Sequence, residues 1–330
     1  MPLYDIDFRE AQQNLKSSPF ARWYSKNDPH PENAVERMKT GVIRPKVNAN
    51  HVLSQDDTIF TIGSCFARNV ERSLDEIGFK VSSLVGPDET AIKGKSDYLN
   101  RYNTFSILHE LRNAAGLGDQ TGDNGFAKTS DGRYTDLHSH PIIEPTNLDF
   151  VRSAREFLTS YFARAFTADV VTITLGLIEC WYDKETGKYL NFAPIFGSSG
   201  QNTPLLSDNG RFCFRVLSYE ENMENLEAIH DLLVEKNPNV KIIVTVSPVR
   251  LSATFTERDV VVANTLSKSM LRTCAESWLR KHPERIDYFP SFEMAILSDP
   301  RKVWGPDGMH VYKVFVDEIM AHFKDVYIKS

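Results

Sequence analysis

Two short stretches, far apart in the chain, carry residue types suited to nucleophilic chemistry. Gly63-Ser64-Cys65 closes the apolar run Thr58 to Ile62 and opens an amphipathic segment, so a hydroxyl and a thiol both stand where a helix begins. Backbone N–H groups in a first helical turn lack intrahelical partners, and the helix dipole favours negative charge there. An attacking Ser64 could use those N–H groups to hold the oxyanion it creates; the alternative is a serine that only caps the helix. Cys65 is a second candidate nucleophile, or else a small packing residue. In "WGPDGMHVY", Asp307 and His310 stand three residues apart just before the last helical pattern. A serine nucleophile needs a base within reach, and the base needs an orienting carboxylate. Asp307 and His310 supply both if the fold brings them to the Gly63 turn.

Other residues admit a chemical and a structural reading. Arg250 ends an apolar run and suits an anionic substrate group, or an ion pair with Glu179 or Glu293. Glu179 itself reads as structural. Trp181, Tyr182 and Tyr189 lie on one hairpin pattern, where aromatic side chains either stack on a sugar ring or pack on each other. His138 and His140 in "DLHSHP" have no evident third ligand and read as solvated loop histidines rather than a metal site.

The elements that must position these groups follow from periodicity. Thr58 to Ile62, Phe79 to Val85, Asp169 to Leu175 and "VKIIVTVS" read as strands, the last with both faces apolar, as in a central parallel position. Phe66, Val70, Leu74 and Ile77 mark one face of the helix that follows the first strand, with Gly78 as its stop. "TFSILHELRNAAG", "LDFVRSAREFLTSYFARAF", residues 257 to 281 and the segment after His310 read as helices. Ser218 and Glu221 form a capping box for another. "IDYFPSFEM" reads as a short strand and its loop. The alternation predicts a mainly parallel sheet with helices on both faces, a three-layer α/β sandwich. Residues 1–56 read as an irregular arm with one short helical pattern near Pro31 to Lys39. Residues 57–330 form the main domain, with a long loop excursion at 117–147 and a hairpin at 180–197.

Composition narrows the function classes. The chain has 330 residues, 41% of them hydrophobic and 25% charged, with a net charge of −6. An acidic balance disfavours a nucleic-acid partner. No run approaches the roughly 20 apolar residues of a membrane span. The first twenty residues lack a secretory pattern. Four scattered cysteines fit neither a zinc site nor a disulfide framework, which leads to the expectation of a cytoplasmic protein with free thiols. No metal is expected.

"FTIGSCFARNV" resembles the signature of the GSCFA family, which belongs with the SGNH (GDSL-like) hydrolases. The resemblance continues through "YNTFSIL", "TLGLIECWYDKETG", "NFAPIF", "SPVRLSAT", "NTLSKSML", "YFPSFEM" and "DGMH". It implies a flavodoxin-like fold and a triad of Ser64 as nucleophile, His310 as base and Asp307 as orienting acid, acting on acyl esters by hydrolysis or O-acyl transfer. The implied substrate is a small molecule or a glycan precursor, and no cofactor is needed beyond acyl-CoA as co-substrate of a transferase. In the SGNH pattern a Gly and an Asn complete the oxyanion hole. Here "GLIE" puts Ile178 where that Asn would stand, so Asn103 is the candidate replacement donor, or an N-cap, and Gly86 the candidate glycine. Arg250, Glu179, Trp181 and Asn191 are the candidate substrate-binding residues. The missing Asn also favours a second expectation: a silent glycan- or ligand-binding module that keeps the fold.

Overall fold

Strands made of β-branched residues with no polar face can be buried only between two layers, and that is where they lie. The computed structural model describes residues 2–27, 29–118, 125–129, 131–196, 203–204 and 210–328. Five parallel strands form its central sheet: β1 (Thr58–Gly63), β2 (Lys80–Val81), β3 (Val170–Leu175), β4 (Lys241–Val246) and β5 (Ile286–Tyr288). Their order across the sheet is β5-β4-β3-β1-β2. Six principal helices cover it: α1 (Cys65–Glu76), α2 (Thr104–Ala114), α3 (Leu148–Ala163), α4 (Tyr219–Lys236), α5 (Val260–Lys281) and α6 (Lys313–Tyr327).

The period-2 alternation of each strand divides the core. Phe60, Ile62, Val171, Ile173, Ile242 and Val244 face α2, α3, α4 and α5 and pack with Leu108, Leu158, Leu226 and Trp278. Ile59, Val170 and Ile243 face the other way, onto Phe66 and Leu74 of α1 and Phe315 and Phe323 of α6. The result is the expected three-layer sandwich. The helix stripe Phe66, Val70 and Leu74 is buried as expected, and Gly78, at φ +93°, ends the helix. The Ser218–Glu221 capping box forms, with Glu221 N–H donating to Ser218 Oγ at 3.1 Å.

Several elements differ from expectation. The strand anticipated over Phe79 to Val85 pairs only at Lys80 and Val81, because Ser83 Oγ accepts the Thr61 N–H that a longer ladder would use. Residues Ser291–Leu297 are helical rather than a loop. The arm holds a second helix, Phe8–Ser17, capped by Asp7, that buries none of its residues. Its later part is anchored: Asn50 and His51 N–H groups donate to Asp287, and Leu53 N–H donates to Tyr327 O. The described part of the 117–147 excursion is ordered around buried charge, and residues 119–124 and 130 lie outside the described residues. Arg155 bridges Glu110 (2.7 Å) and Asp136, and His138 is buried and stacked on His109 rather than solvated. The expected hairpin forms from Glu179–Asp183 and Lys188–Leu190, with its turn at 184–187; a third strand, Phe212–Val216, pairs with the first. Residue 197 lies outside the described residues.

The strand order reverses between β1 and β3: the chain leaves β1 for β2 on one side and later enters β3 on the other. Open sheets of this kind bind ligands in the crevice beyond the strand ends at such a point. Gly63 sits there at φ +140°, and a Cβ on it would lie 2.1 Å from the Thr174 carbonyl oxygen. Gly63→Ala should therefore push two central strands apart, lowering unfolding free energy by about 3 kcal/mol or more; a denaturation curve superimposable on wild type would refute this tight approach. At the start of α2, Asn103 Oδ1 accepts the Ser106 N–H at 2.8 Å and Nδ2 donates to Leu190 O at 3.1 Å. Asn103→Ala should lower stability by about 2 kcal/mol, from loss of the cap and an unpaired carbonyl, as read from the denaturation midpoint.

Candidate active site

A cavity of about 620 Å³ opens at the crevice. Ser64 and Cys65 reach it from the β1–α1 turn, Gly176 and Trp181 from the segment after β3, Arg250 and Phe255 from the segment after β4, and His310 from the loop before α6. The fold thus brings the two distant reactive stretches together.

The loop Trp304 to Tyr312 builds its acid–base pair locally. Asp307 Oδ1 accepts the N–H groups of Met309 (2.9 Å) and His310 (3.0 Å), and Oδ2 lies 2.6 Å from His310 Nδ1. Gly308, at φ +65°, allows the tight turn. These bonds hold the Asp307 carboxyl well below the usual carboxylate range. The His310 pKa is pushed up to about 9, first by a hydrogen bond with the Cys65 side chain; burial opposes the shift and Asp307 reinforces it.

Ser64 behaves otherwise. It holds the N-cap position of α1, yet its hydroxyl makes no cap bond. Its Oγ is buried and has no hydrogen-bond partner. In this geometry the Ser64 hydroxyl therefore neither caps the helix nor bonds the imidazole, and the Cys65 thiol lines the same cavity as His310. Gly176 makes room for the turn: a Cβ there would lie 2.6 Å from Tyr102 O and 3.2 Å from Ser64 Cβ.

The expected substitute oxyanion groups lie elsewhere. Asn103 is fully engaged as an N-cap and in its bond to Leu190, and neither it nor Gly86 lines the cavity. The four substrate-binding candidates do line it. Asn191 is buried and holds the loop before α2, accepting from Tyr102 N–H at 2.9 Å and donating to Asn100 O at 2.8 Å. Glu179 accepts from Thr254 Oγ1 at 2.6 Å and so fixes the segment after β4. Arg250 stacks on Trp304, 3.8 Å from the ring centre, and donates to Gly308 O. It pairs with neither Glu179 nor Glu293; the latter binds Arg272 at 2.8 Å. Trp181 meets Phe214 and Phe255 edge-on, at 5.6 and 5.1 Å between ring centres. Tyr189 instead stacks on Phe105 and Tyr182 meets Tyr189, which is packing.

One cavity residue escaped the sequence reading. Lys268 of α5 is buried, and its Nζ donates to Gly176 O at 2.7 Å. Burial lowers its pKa to about 7, with the charge of Cys65 opposing. The signal was present: Lys268 stands three and seven residues before Leu271 and Ala275, on the apolar stripe of its helix. Among the described residues, no group of three or more His, Cys, Asp or Glu is arranged to hold a metal, and no helix is long and apolar enough to cross a membrane.

No curated protein matches the chain. The model of the GSCFA family matches residues 58–323, a span that starts at β1 and runs into α6, so both reactive stretches fall inside it. The chain belongs to the GSCFA family.

Proposed function

We propose that the protein is a thiol-dependent ester hydrolase or acyltransferase that works in the manner of SGNH hydrolases, with Cys65 as nucleophile, His310 as acid–base group and Asp307 as its orienting carboxylate. The observation that carries this reading is that the Asp307–His310 pair, 2.6 Å apart, and the Cys65 thiol at the first turn of α1 line the same cavity. A thiolate beside an imidazolium at a helix N-terminus is an activated nucleophile. It attacks the ester carbonyl carbon, and the oxyanion forms next to the N–H groups of the first turn. The C–O bond breaks, His310 gives its proton to the departing alkoxide, and a thioester to Cys65 remains. Water, or an acceptor hydroxyl in a transferase, then attacks with His310 taking its proton, and the thiolate leaves. For a transferase the donor is an acyl-CoA: its C–S bond breaks in place of the C–O bond, and CoA leaves as the thiol with the proton from His310.

The walls bear on the substrate. Trp181, Leu190, Phe192, Phe214, Leu251 and Phe255 make one side apolar, while Glu179 and Asn191 on that side are engaged internally. This favours the acyl chain there over a sugar. The Arg250 guanidinium, which has no carboxylate within salt-bridge reach among the described residues, suits an anionic group on the leaving or accepting partner; a glycan would enter on that side.

Mass spectrometry after brief incubation with an alkyl ester should find the acyl group on Cys65. Cys65→Ala should abolish turnover, and Ser64→Ala should retain it within about tenfold. An adduct on Ser64 would return the attacking role to the serine, and no adduct with a bound, unreacted ester would favour a silent binding module.

The pH profile separates the two nucleophiles further. The raised His310 pKa means the cation persists through neutral pH and is lost as pH climbs through about 9. An alkyl ester needs that proton for its leaving group, so activity should hold at neutral pH and fall above about pH 9. A serine mechanism needs the neutral ring and would rise toward pH 9 instead. Chain length tests the apolar wall: each buried methylene is worth about 0.8 kcal/mol at most, so kcat/KM should climb by up to roughly 200-fold from acetyl to hexanoyl esters. Trp181→Ala should flatten that climb, and a wild-type enzyme indifferent to chain length would remove the acyl-pocket assignment.

A further inference from the structure

Lysine is among the residues least often fully buried, and an ammonium away from water costs several kcal/mol unless paired. Lys268 lies at the floor of the cavity, 2% exposed. Its single hydrogen bond among the described residues goes to a neutral carbonyl, Gly176 O, at 2.7 Å, and no described carboxylate forms a salt bridge with it. A carbonyl needs no ammonium; a backbone or hydroxyl donor would satisfy it at lower cost. Two hydroxyls lining the same cavity, those of Ser64 and Ser247, are also buried and without partners. Three buried hydrogen-bonding groups with spare capacity around one cavity mark a place built for a negative charge brought in or created there. The Cys65 thiol opens onto the same cavity as Lys268 and can carry such a charge.

We infer that Lys268 is the electrostatic positioning residue of this site: anchored by the Gly176 carbonyl, its ammonium favours the Cys65 thiolate and then the oxyanion formed on the thioester-bound carbon. This rests on reading Cys65 as the attacking atom. A buried cation beside the segment holding Gly176 and Ile178 would stand in for the Asn that the resemblance places at Ile178. The other charged groups lining the cavity are His310, which shares the Cys65 thiol, and Arg250 and Glu179.

The test reads the thiol with no ester present. Full-length wild type and Lys268→Met are treated with iodoacetamide at pH 7, and the alkylation rates of Cys65 and Cys213 are followed by peptide mapping. An opposite charge close to an ionising group moves its balance by tenfold or more, so Cys65 alkylation should slow about tenfold in Lys268→Met while Cys213 is unchanged. The denaturation midpoint should hold or rise, since methionine fills the same space without a buried charge. Lys268→Gln, with its own amide donor to Gly176 O, should slow Cys65 alkylation as much, which a merely structural hydrogen bond would not do. Unaltered Cys65 alkylation in either folded variant overturns the inference. So does a lowered midpoint with both cysteines reacting faster, which assigns Lys268 to packing. Ester turnover with an acyl group on Cys65, but alkylation indifferent to Lys268→Met, would sink this role and leave the proposed reaction standing. Absence of any acyl adduct beside a Lys268-dependent thiol would do the reverse.

Discussion

The site depends on how closely two strand ends and one loop approach each other. Gly63 and Gly176 sit where a single Cβ would fall within 2.1 Å of Thr174 O and 2.6 Å of Tyr102 O respectively. With no side chain at either position, the ends of β1 and β3 close against the loop before α2. The chain can then turn directly from a buried strand into α1, whose first turn opens at the crevice. The same approach puts the Gly176 carbonyl where a lysine from α5 can reach it. The Ser64-Cys65 turn, the helix terminus and the buried Lys268 are thus consequences of one steric condition at the switch point of the sheet.

Buried charge reinforces that condition from behind. Arg101 is fully buried, pairs with Glu110 at 2.7 Å, and its N–H donates to Gly63 O at 2.7 Å. Glu110 in turn binds Arg155, which reaches Asp136. Removing one partner of such a set leaves a buried charge uncompensated, which is far more costly than the net worth of the pair. The loop carrying Tyr102 and Asn103 is therefore held by a network extending through α2, α3 and the 134–136 strand. Asn191 secures the same loop from the hairpin side.

Much of this was legible in the sequence, for identifiable reasons. The β-branched runs and the Phe66, Val70, Leu74 spacing are local statements about burial, and the folded chain obeys them. The Asp307–His310 spacing was legible because a turn of that length closes on itself. What escaped depended on long-range contacts or on their absence. The helix Phe8–Ser17 buries nothing, so no apolar stripe announced it. Ser83 cut short the strand from Phe79 through one side-chain bond to Thr61. His138 reads as a loop residue until Arg155 and Asp136 bury the segment around it. Asn103 fitted two roles in the sequence, and only the position of the Leu190 carbonyl selects between them. Lys268 stood on an apolar stripe, but its partner, a backbone carbonyl some ninety residues away, has no signature.

The turn holding Asp307 and His310 has a further consequence. All three bonds that orient the ring, two from backbone N–H groups and one to Nδ1, are made within four consecutive residues. The pair is a self-contained cartridge, attached to the body of the protein by Arg250, whose side chain holds Gly308 O and whose N–H meets Met309 O. Its internal hydrogen bonds and its placement are thus separable variables. Displacing the cartridge by an ångström would alter its distance to Cys65, the largest influence on the ring's basicity, and leave the bonds to Asp307 intact. Divergence within such a scaffold can shift where the imidazole stands without rebuilding the turn that holds it.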